Sequence, residues 1–326
     1  MSETEEKVLP GEAETEGTKP ETEGKKKKKK KEKVKKSLGQ EILSWVLTIL
    51  CAVAAALVIR SVIFEPVRVD GGSMDDTLAD KEIMLVSKYD YSSTWLSMPW
   101  NSDNDAQNAA RITFGNPKLL DVVICRYPAR GAMNFVKRVT GMPGDTVELR
   151  DGYLYLNGAQ CEEEKDLINP EYRVRQFSNG QSFGPYYVPK KGDKLTVSGS
   201  SSVLQIQING DLWDRKETCL IAKDGDGKQL KIYNRKTDGS SHSGMHEEET
   251  EVISYDGKEW TEGSWDEIIP TLTAKEFTID DNYYFLMGDH RNNSNDSRSV
   301  GAVERSMIIG HVRRVVFPFN QWRGIR

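Results

Sequence analysis

The pattern of hydrophobic positions contains one long unbroken apolar segment, which runs from Ile42 to Ile59 without a charged residue. An α-helix rises about 1.5 Å per residue, so about 20 residues cross a hydrocarbon core of about 30 Å. A cleavable secretory signal would have a shorter apolar region, and a buried core helix would keep a polar face. We therefore predict that residues 40–64 form a single transmembrane anchor.

Beyond this segment, apolar residues alternate with polar ones in short runs, which is the period of a β-strand. The Asp151-Gly152 pair between two such runs predicts a tight hairpin. Few runs show a helical period, so we predict that the part after the anchor is mainly β. The predicted strands are 66–70, 81–87, 120–127, 134–140, 145–150, 153–158, 203–208, 282–287 and 307–319.

A change of composition suggests how this β part is organised. Residues 161–275 are dominated by Gly, Ser, Asp, Lys and Glu, broken by short apolar alternations. We predict a β domain formed by residues 65–160 and 276–326, with 161–275 as an inserted, variable, β-rich region. Residues 90–118 are polar and turn-rich and predict a long loop. Its aromatic stretch, Tyr91 to Trp100, either packs as an ordinary loop or dips into the outer leaflet of a membrane.

The N-terminal residues 1–38 predict a disordered tail, acidic up to residue 24 and then lysine-rich. Neither part can bury enough apolar surface to offset the entropy of ordering. Such a lysine run often belongs to a solvated tail or a nucleic-acid-binding arm, but beside an apolar span it marks the cytoplasmic side. We expect a cytoplasmic N-terminus, contact with membrane lipid, no nucleic acid, and a domain on the extracytoplasmic side.

The 326 residues carry a net charge of −5 and four cysteines. Cys51 lies in the anchor and Cys125 in an apolar run, so neither is expected to be paired. Cys161 and Cys219 lie in the exported part, where disulfides are permitted, and the sequence leaves open whether they meet. The spacing of these residues does not resemble a zinc site, and we expect neither a metal nor a cofactor.

Three stretches are candidates for chemistry, at residues 70–78, 135–145 and 288–301. Each one alone is typical of a turn, a strand or a loop, but together they fit a serine nucleophile with a base. A serine hydroxyl needs an adjacent base, and the apolar neighbours of Lys137 suggest a lysine that burial makes neutral. A pKa lowered from about 10.4 to about 8–8.5 would correspond to roughly 3 kcal/mol.

These stretches contain SMDDTL (73–78), KRVTGMPGD (137–145) and GDHRNNSNDSR (288–298), and they follow an apolar span. In this order they closely resemble the three blocks of type I signal peptidases. The resemblance implies the β catalytic core of that family with an inserted subdomain. It also implies a membrane-bound serine endopeptidase that removes signal peptides from secretory preproteins after small residues, of the Ala-x-Ala type.

By position, the resemblance implies that Ser73 attacks the scissile carbonyl to form an acyl-enzyme and that Lys137 is the general base. Ser294 matches the serine that orients this lysine. The residues implied to support the site structurally are Asp289, Asp296 and Arg298. The residues implied to line the shallow substrate pockets are Val69, Gly71, Met74, Leu78, Phe135 and Val136.

The chain departs from the family blocks at three positions. Asp76 replaces a proline, and with Asp75 it adds negative charge that would favour a charged Lys137, so we expect both carboxylates to point to water. Gly71 has no hydroxyl, so backbone N–H groups must do more to stabilise an oxyanion. His290 replaces an asparagine and is predicted to be structural, since Lys137 already occupies the base position.

Two other functions compete with this interpretation. A self-cleaving repressor with the same Ser/Lys chemistry would need a DNA-binding module in front and no anchor, which is the reverse of this arrangement. The second alternative is an inactive, membrane-tethered β domain that only binds peptides or wall components. Proteolysis that depends on Ser73 and Lys137 would separate it from an enzyme.

Overall fold

The computed structural model describes most of the chain after the tail. The described residues are 37–59, 63–93, 112–113, 115–127, 133–173, 182–236 and 249–325. The predicted tail up to residue 36, and nearly all of the aromatic stretch with the hypothesis of membrane contact, lie outside these ranges.

The helices are α1 (Leu38–Val58), α2 (Glu162–Leu167), α3 (Pro170–Arg173), α4 (Ile269–Thr273) and α5 (Ser297–Val300), with single 3₁₀ turns at Trp265–Glu267, Arg291–Asn293, Arg305–Met307 and Phe319–Gln321. The strands are β1 (Phe64–Arg68), β2 (Ile83–Ser87), β3 (Ser92–Ser93), β4 (Ile112–Thr113), β5 (Val122–Arg126), β6 (Asn134–Gly141), β7 (Thr146–Arg150), β8 (Tyr153–Leu156), β9 (Ala159–Gln160), β10 (Phe183–Tyr187), β11 (Lys194–Ser200), β12 (Val203–Ile208), β13 (Asp211–Trp213), β14 (Leu220–Asp224), β15 (Gln229–Lys236), β16 (Glu249–Tyr255), β17 (Lys258–Thr261), β18 (Phe277–Ile279), β19 (Tyr283–Met287), β20 (Val303–Glu304), β21 (Ile308–Phe317) and β22 (Arg323–Gly324). The mainly β class predicted from the alternating runs is confirmed.

Helix α1 coincides with the apolar span. Residues Leu38–Leu57 are long and apolar enough to cross a membrane, with a mean hydropathy of 1.8. At its start, the Ser37 N–H donates to Gln40 Oε1 (3.2 Å) and the Gln40 N–H donates to Ser37 Oγ (3.4 Å), a reciprocal capping box. The chain divides within this helix into two compact units, of which the first ends at Leu50 and the second begins at Cys51.

The first large sheet is entirely antiparallel, with the order β1-β2-β21-β5-β6-β19-β20 and with β22 beside β21. The sequence of β5 is a continuous apolar run because both faces of this strand are covered. Val122 and Ile124 belong to one hydrophobic core, and Val123 and Cys125 to another. Its neighbour β6 therefore also runs between two cores.

The hairpin predicted at Asp151-Gly152 joins β7 and β8, and both turn residues have positive φ (52° and 79°), as a type I′ turn requires.

The second large sheet has the order β13-β12-β11-β18-β14-β15-β16-β17. Strand β18 follows the predicted boundary at 275/276, yet it pairs with β11 and β14 in the middle of the second sheet. The division into domains stays a prediction.

Cys161 and Cys219 are both buried free thiols in the structure. The pairing that the sequence left open is therefore not formed.

Candidate active site

Strand β6 places Lys137 on the sheet face that carries Val123 and Val139, which belong to one hydrophobic core. Lys137 lies opposite Val123 of β5, and only 2% of its surface is exposed. Its Nζ lies 2.8 Å from Ser73 Oγ and 3.0 Å from the carbonyl oxygen of Val136. Residues 64 positions apart in the chain are thus brought within hydrogen-bond distance, as a serine nucleophile and its base would require.

The surroundings of Lys137 favour its neutral form. Burial removes the hydration of the ammonium group and lowers the pKa of Lys137 from its ordinary value of 10.5. The Cys125 thiol and the carboxylates of Asp296 and Asp289 act in the opposite direction, but desolvation is the larger effect. A pKa shift in this direction is what a lysine needs in order to act as a base.

Ser73 lies in a tight turn that begins at Gly71, whose φ of +94° suits glycine. Met74 and Leu78 anchor the turn, because both side chains are buried in the core. The Leu78 N–H also donates to the Met74 carbonyl oxygen (2.7 Å). Gly288 approaches the same turn closely. A β-carbon at this position would lie 2.5 Å from the Ser73 carbonyl oxygen, so the glycine is required for packing.

Behind this turn, Asp289 forms a buried ion pair with Arg138. The Arg138 Nε and Nη2 atoms donate to the two carboxylate oxygens at 2.8 and 2.6 Å, and both side chains are at most 3% exposed. The Thr77 hydroxyl donates to Asp289 at 2.5 Å. Asp289 thus contacts Arg138 on β6 and Thr77 in the Ser73 turn. Neither partner could be identified from the sequence.

Asp296 and Arg298, also predicted to support the site, form an ion pair. The Arg298 Nε and Nη2 atoms donate to Asp296 at 2.8 and 2.9 Å, and the Gly288 N–H donates to the same carboxylate at 3.0 Å. Burial by itself would raise the pKa of Asp296, but these donors, Arg298 above all, hold it below its ordinary value. The carboxylate therefore stays charged and fixes the start of the loop that follows β19.

Ser294 lies beside Asp296, and its hydroxyl contributes to lowering the pKa of that carboxyl. The Ser294 Oγ atom is buried and has no partner with regular hydrogen-bond geometry among the described residues. A hydrogen bond from Ser294 to Lys137 is therefore not formed here, and its orienting role stays a prediction.

The six predicted pocket residues differ in their exposure. Val69, Met74 and Leu78 pack together in one hydrophobic core and present almost no surface, whereas Phe135 and Val136 are half-buried and Gly71 is exposed. Only the last three present surface beside the Ser73–Lys137 pair. The contribution of all six to substrate binding stays a prediction.

Asp75 and Asp76 are expected to point to water, and Asp76 is exposed, but both carboxylates also contact protein groups. Asp75 Oδ2 lies 3.1 Å from Nδ1 of His290, and Asp76 Oδ2 accepts a hydrogen bond from Asn169 Nδ2 (2.6 Å). The reason is that the segment 161–173, placed in the variable region by the sequence, folds against the Ser73 turn. His290 stacks on Tyr172 of this segment, with ring centroids 3.9 Å apart. No local signal in the sequence connects these positions.

Asp76 has a φ of +75°, which a proline cannot adopt because its ring holds φ near −65°. We expect that Asp76→Pro, although it restores the residue of the family block, lowers the free energy of unfolding by about 1–3 kcal/mol. Urea unfolding of the two proteins measures the difference. Asp76→Gly, which tolerates positive φ, is the control and should change stability less; an Asp76→Pro protein as stable as wild type would contradict the backbone argument.

Comparisons of the sequence with known proteins point to one family. A family model described as "Signal peptidase, peptidase S26" matches residues 42–317. A signal peptidase I P from Bacillus subtilis subsp. natto is 36% identical over 161 residues, which cover 49% of this chain and 74% of the relative. A signal peptidase I from Buchnera aphidicola subsp. Schizaphis graminum is 25% identical over 281 residues, covering 82% of this chain and 74% of the relative. Among solved structures, a signal peptidase I from Enterococcus faecalis V583 is 20% identical, covers 61% of this chain and 98% of that chain, and gives a TM-score of 0.26.

The family model extends from the apolar helix to the end of β21 and includes all three blocks. Since it matches well over half of the residues, the chain belongs to the signal peptidase family, peptidase S26, the membrane-associated serine proteases that remove signal peptides from preproteins.

Proposed function

We propose that this protein cleaves preproteins with a dyad of Ser73 and Lys137. The observation that carries the proposal is the 2.8 Å approach of Lys137 Nζ to Ser73 Oγ at a site where burial lowers the pKa of the lysine. A buried amine with no carboxylate at bonding distance loses its proton more readily than an exposed one. Among the described residues, Nζ has only the Ser73 hydroxyl and a carbonyl oxygen as hydrogen-bond partners.

In the proposed mechanism, neutral Lys137 accepts the proton of the Ser73 hydroxyl while Oγ attacks the scissile carbonyl carbon. Backbone N–H groups of the turn, that of Ser73 among them, stabilise the oxyanion, because Gly71 offers no hydroxyl. The tetrahedral intermediate collapses when the Lys137 ammonium protonates the departing amine of the mature protein. Lys137 then activates a water molecule, which hydrolyses the acyl-enzyme.

The proposed substrates carry Ala or another small residue at positions −1 and −3 of the cleavage site. This specificity is supported by the resemblance of the stretches around Ser73 and Lys137 to the family blocks. The α1 helix would anchor the protein in lipid, with the lysine-rich N-terminus in the cytoplasm and the catalytic part on the extracytoplasmic side. No nucleic acid takes part in this reaction.

The test incubates the detergent-solubilised full chain with a purified preprotein that has one Ala-x-Ala site. Wild type is expected to give a single cut after the −1 Ala, identified by mass spectrometry, and a substrate with a bulky residue at −1 is expected to remain uncut. Ser73→Ala should give no product, whereas Ser264→Ala, which removes a turn hydroxyl outside the site, should cleave normally. Binding of preprotein without cleavage would instead support an inactive tethered domain.

A further inference from the structure

We propose that His290 is a positioning residue that holds the Ser73 turn against Lys137. The segment 161–173 packs against the other side of the His290 ring and keeps it in place. The proposal rests on the proposed dyad, since it assigns His290 a task in keeping that pair in contact. In this proposal, the two departures from the family blocks at Asp76 and His290 belong to one set of contacts around the Ser73 turn.

His290 contacts the Ser73 turn at three acceptors. Its backbone N–H donates to the Ser73 carbonyl oxygen (3.1 Å), and its Nδ1 lies 3.1 Å from both the Gly72 carbonyl oxygen and Asp75 Oδ2. Because both partners of Nδ1 are acceptors, Nδ1 carries the hydrogen and donates to them. One histidine thus holds the carbonyl groups of two consecutive residues, Gly72 and Ser73.

The opposite side of the imidazole is covered by α3. The Tyr172 ring stacks on the His290 ring at a centroid distance of 3.9 Å and an interplanar angle of 26°. Beside this stack, the Asn292 Nδ2 group donates to the Glu171 carbonyl oxygen (3.3 Å). The imidazole is therefore held between the Ser73 turn and the helix, which restricts the direction in which Nδ1 points.

The helix itself is fixed by a carboxylate with no exposed surface, that of Glu164 on α2. Glu164 accepts from Arg173 Nη1 (3.0 Å) at the end of α3 and from Arg291 Nη2 (2.6 Å), the residue next to His290. Arg291 Nε also donates to the Gly288 carbonyl oxygen (2.9 Å). A single buried anion thus joins the segment 161–173 to the loop that carries His290.

A further contact joins the segment 161–173 directly to the Ser73 turn. Asn169, just before α3, donates to Asp76 Oδ2 at 2.6 Å, and Asp76 has a positive φ. Both positions at which polar side chains replace the residues of the family blocks, 76 and 290, are therefore positions that meet the segment 161–173. This coincidence is what a compensated local rearrangement would produce.

The contacts of His290 control the position of Ser73 Oγ, the nucleophile of the proposed reaction. The imidazole Nδ1 holds the carbonyl of Gly72, the residue directly before Ser73, so release of the turn would let Oγ drift from its 2.8 Å distance to Lys137 Nζ. A misplacement of about 1 Å in a reacting group costs about 100-fold in rate. Such a loss affects the chemical step, while the half-buried residues of β6 that would meet the substrate are unchanged.

The test compares His290→Asn with His290→Leu in the full chain, by steady-state cleavage of the same preprotein. Leucine keeps much of the volume but removes the donor, whereas asparagine loses the stacked ring but offers an N–H group near the position of Nδ1. We expect kcat to fall about 10- to 100-fold in His290→Leu with KM changed less than about 2-fold. In His290→Asn we expect kcat to stay within about 5-fold of wild type.

His311→Leu is the matched control. His311 also stacks on a tyrosine, Tyr91, and its Nδ1 lies 3.4 Å from a carboxylate, Asp90, but its contacts do not include the Ser73 turn. We expect this variant to keep kcat within about 2-fold even if its thermal unfolding midpoint falls. Tyr172→Leu removes the ring that stacks on His290 but leaves His290 Nδ1 as a donor. We expect its kcat to fall about 3- to 10-fold.

The order of the two His290 variants decides the outcome. Activity of His290→Leu equal to or above that of His290→Asn would overturn the proposal, because packing and not hydrogen bonding would then set the rate. A change confined to KM would overturn it as well. If Ser73→Ala cleaves like wild type, the dyad itself fails; if cleavage needs Ser73 but all His290 variants are fully active, only the positioning role fails.

Discussion

Lys137→Met is expected to abolish cleavage, by at least about 1,000-fold, and at neutral pH to raise the free energy of unfolding. The loss of activity follows from removal of the proposed general base, for which such factors are usual. The gain in stability follows because methionine fills the site without a group that must be kept neutral or buried as a charge. The two effects have opposite signs, which a variant that simply misfolds cannot reproduce.

The pH dependence of this gain has a definite sign. The pKa of Lys137 is lowered in the folded protein from 10.5, so between the lowered value and about 10.5 the unfolded chain binds more protons. Wild-type stability therefore rises with pH through this window, and below it the full penalty of about 1.36 kcal/mol per pKa unit is present. The advantage of Lys137→Met should be largest at pH 7 and should shrink as pH approaches 10.5. The same titration predicts that wild-type kcat/KM falls as pH drops below the folded pKa.

Urea unfolding of the detergent-solubilised full chain at pH 7 and pH 10 measures the difference. Lys223→Met is the control, because Lys223 is a strand lysine that is 46% exposed and forms a surface pair with Asp280 (2.8 Å). It should change stability by less than about 1 kcal/mol and leave activity intact. A Lys137→Met protein less stable than wild type at both pH values would show that the lysine is not held neutral at a cost.

Asp289→Asn is expected to lower the free energy of unfolding by about 3–5 kcal/mol and to reduce cleavage as well. The change removes the carboxylate that pairs with the Arg138 guanidinium, so a charge with 1% exposure loses its ion pair in the core. Activity falls too, because Asp289 also accepts from Thr77 in the Ser73 turn (2.5 Å). Urea unfolding and preprotein cleavage are measured on the same sample.

Asp256→Asn provides the comparison for this prediction. Asp256 forms a surface pair with Lys228 at 2.8 Å, with both side chains about half exposed (56% and 45%). Its replacement should cost less than about 1 kcal/mol. Combining Asp289→Asn with Arg138→Met should recover part of the loss, since no buried charge is then left alone. An Asp289→Asn protein within 1 kcal/mol of wild type would argue that the Arg138 pair does not stabilise the fold.

Short helices show where local pattern is too weak to predict structure. The segments α2 and α3 have six and four residues, fewer than two turns of helix, and so carry little periodicity. They were included in a region predicted to be β-rich. Strand β18 has only three residues, and its alternation alone could not indicate which sheet it would join. Its position between β11 and β14 depends on partners more than 50 residues away.

The amino-acid sequence by itself determined the apolar span, most strands of five or more residues, the Asp151-Gly152 hairpin and the three blocks that identify the family. These features depend on residues close together in the chain, whose side-chain period and turn preferences act locally. Only the tertiary structure decided that Arg138 pairs with Asp289, and that Asp75 and His290, 215 positions apart, meet at the Ser73 turn. Such contacts depend on how separate strands and loops pack, because a buried charge or donor must find its partner wherever the fold places one.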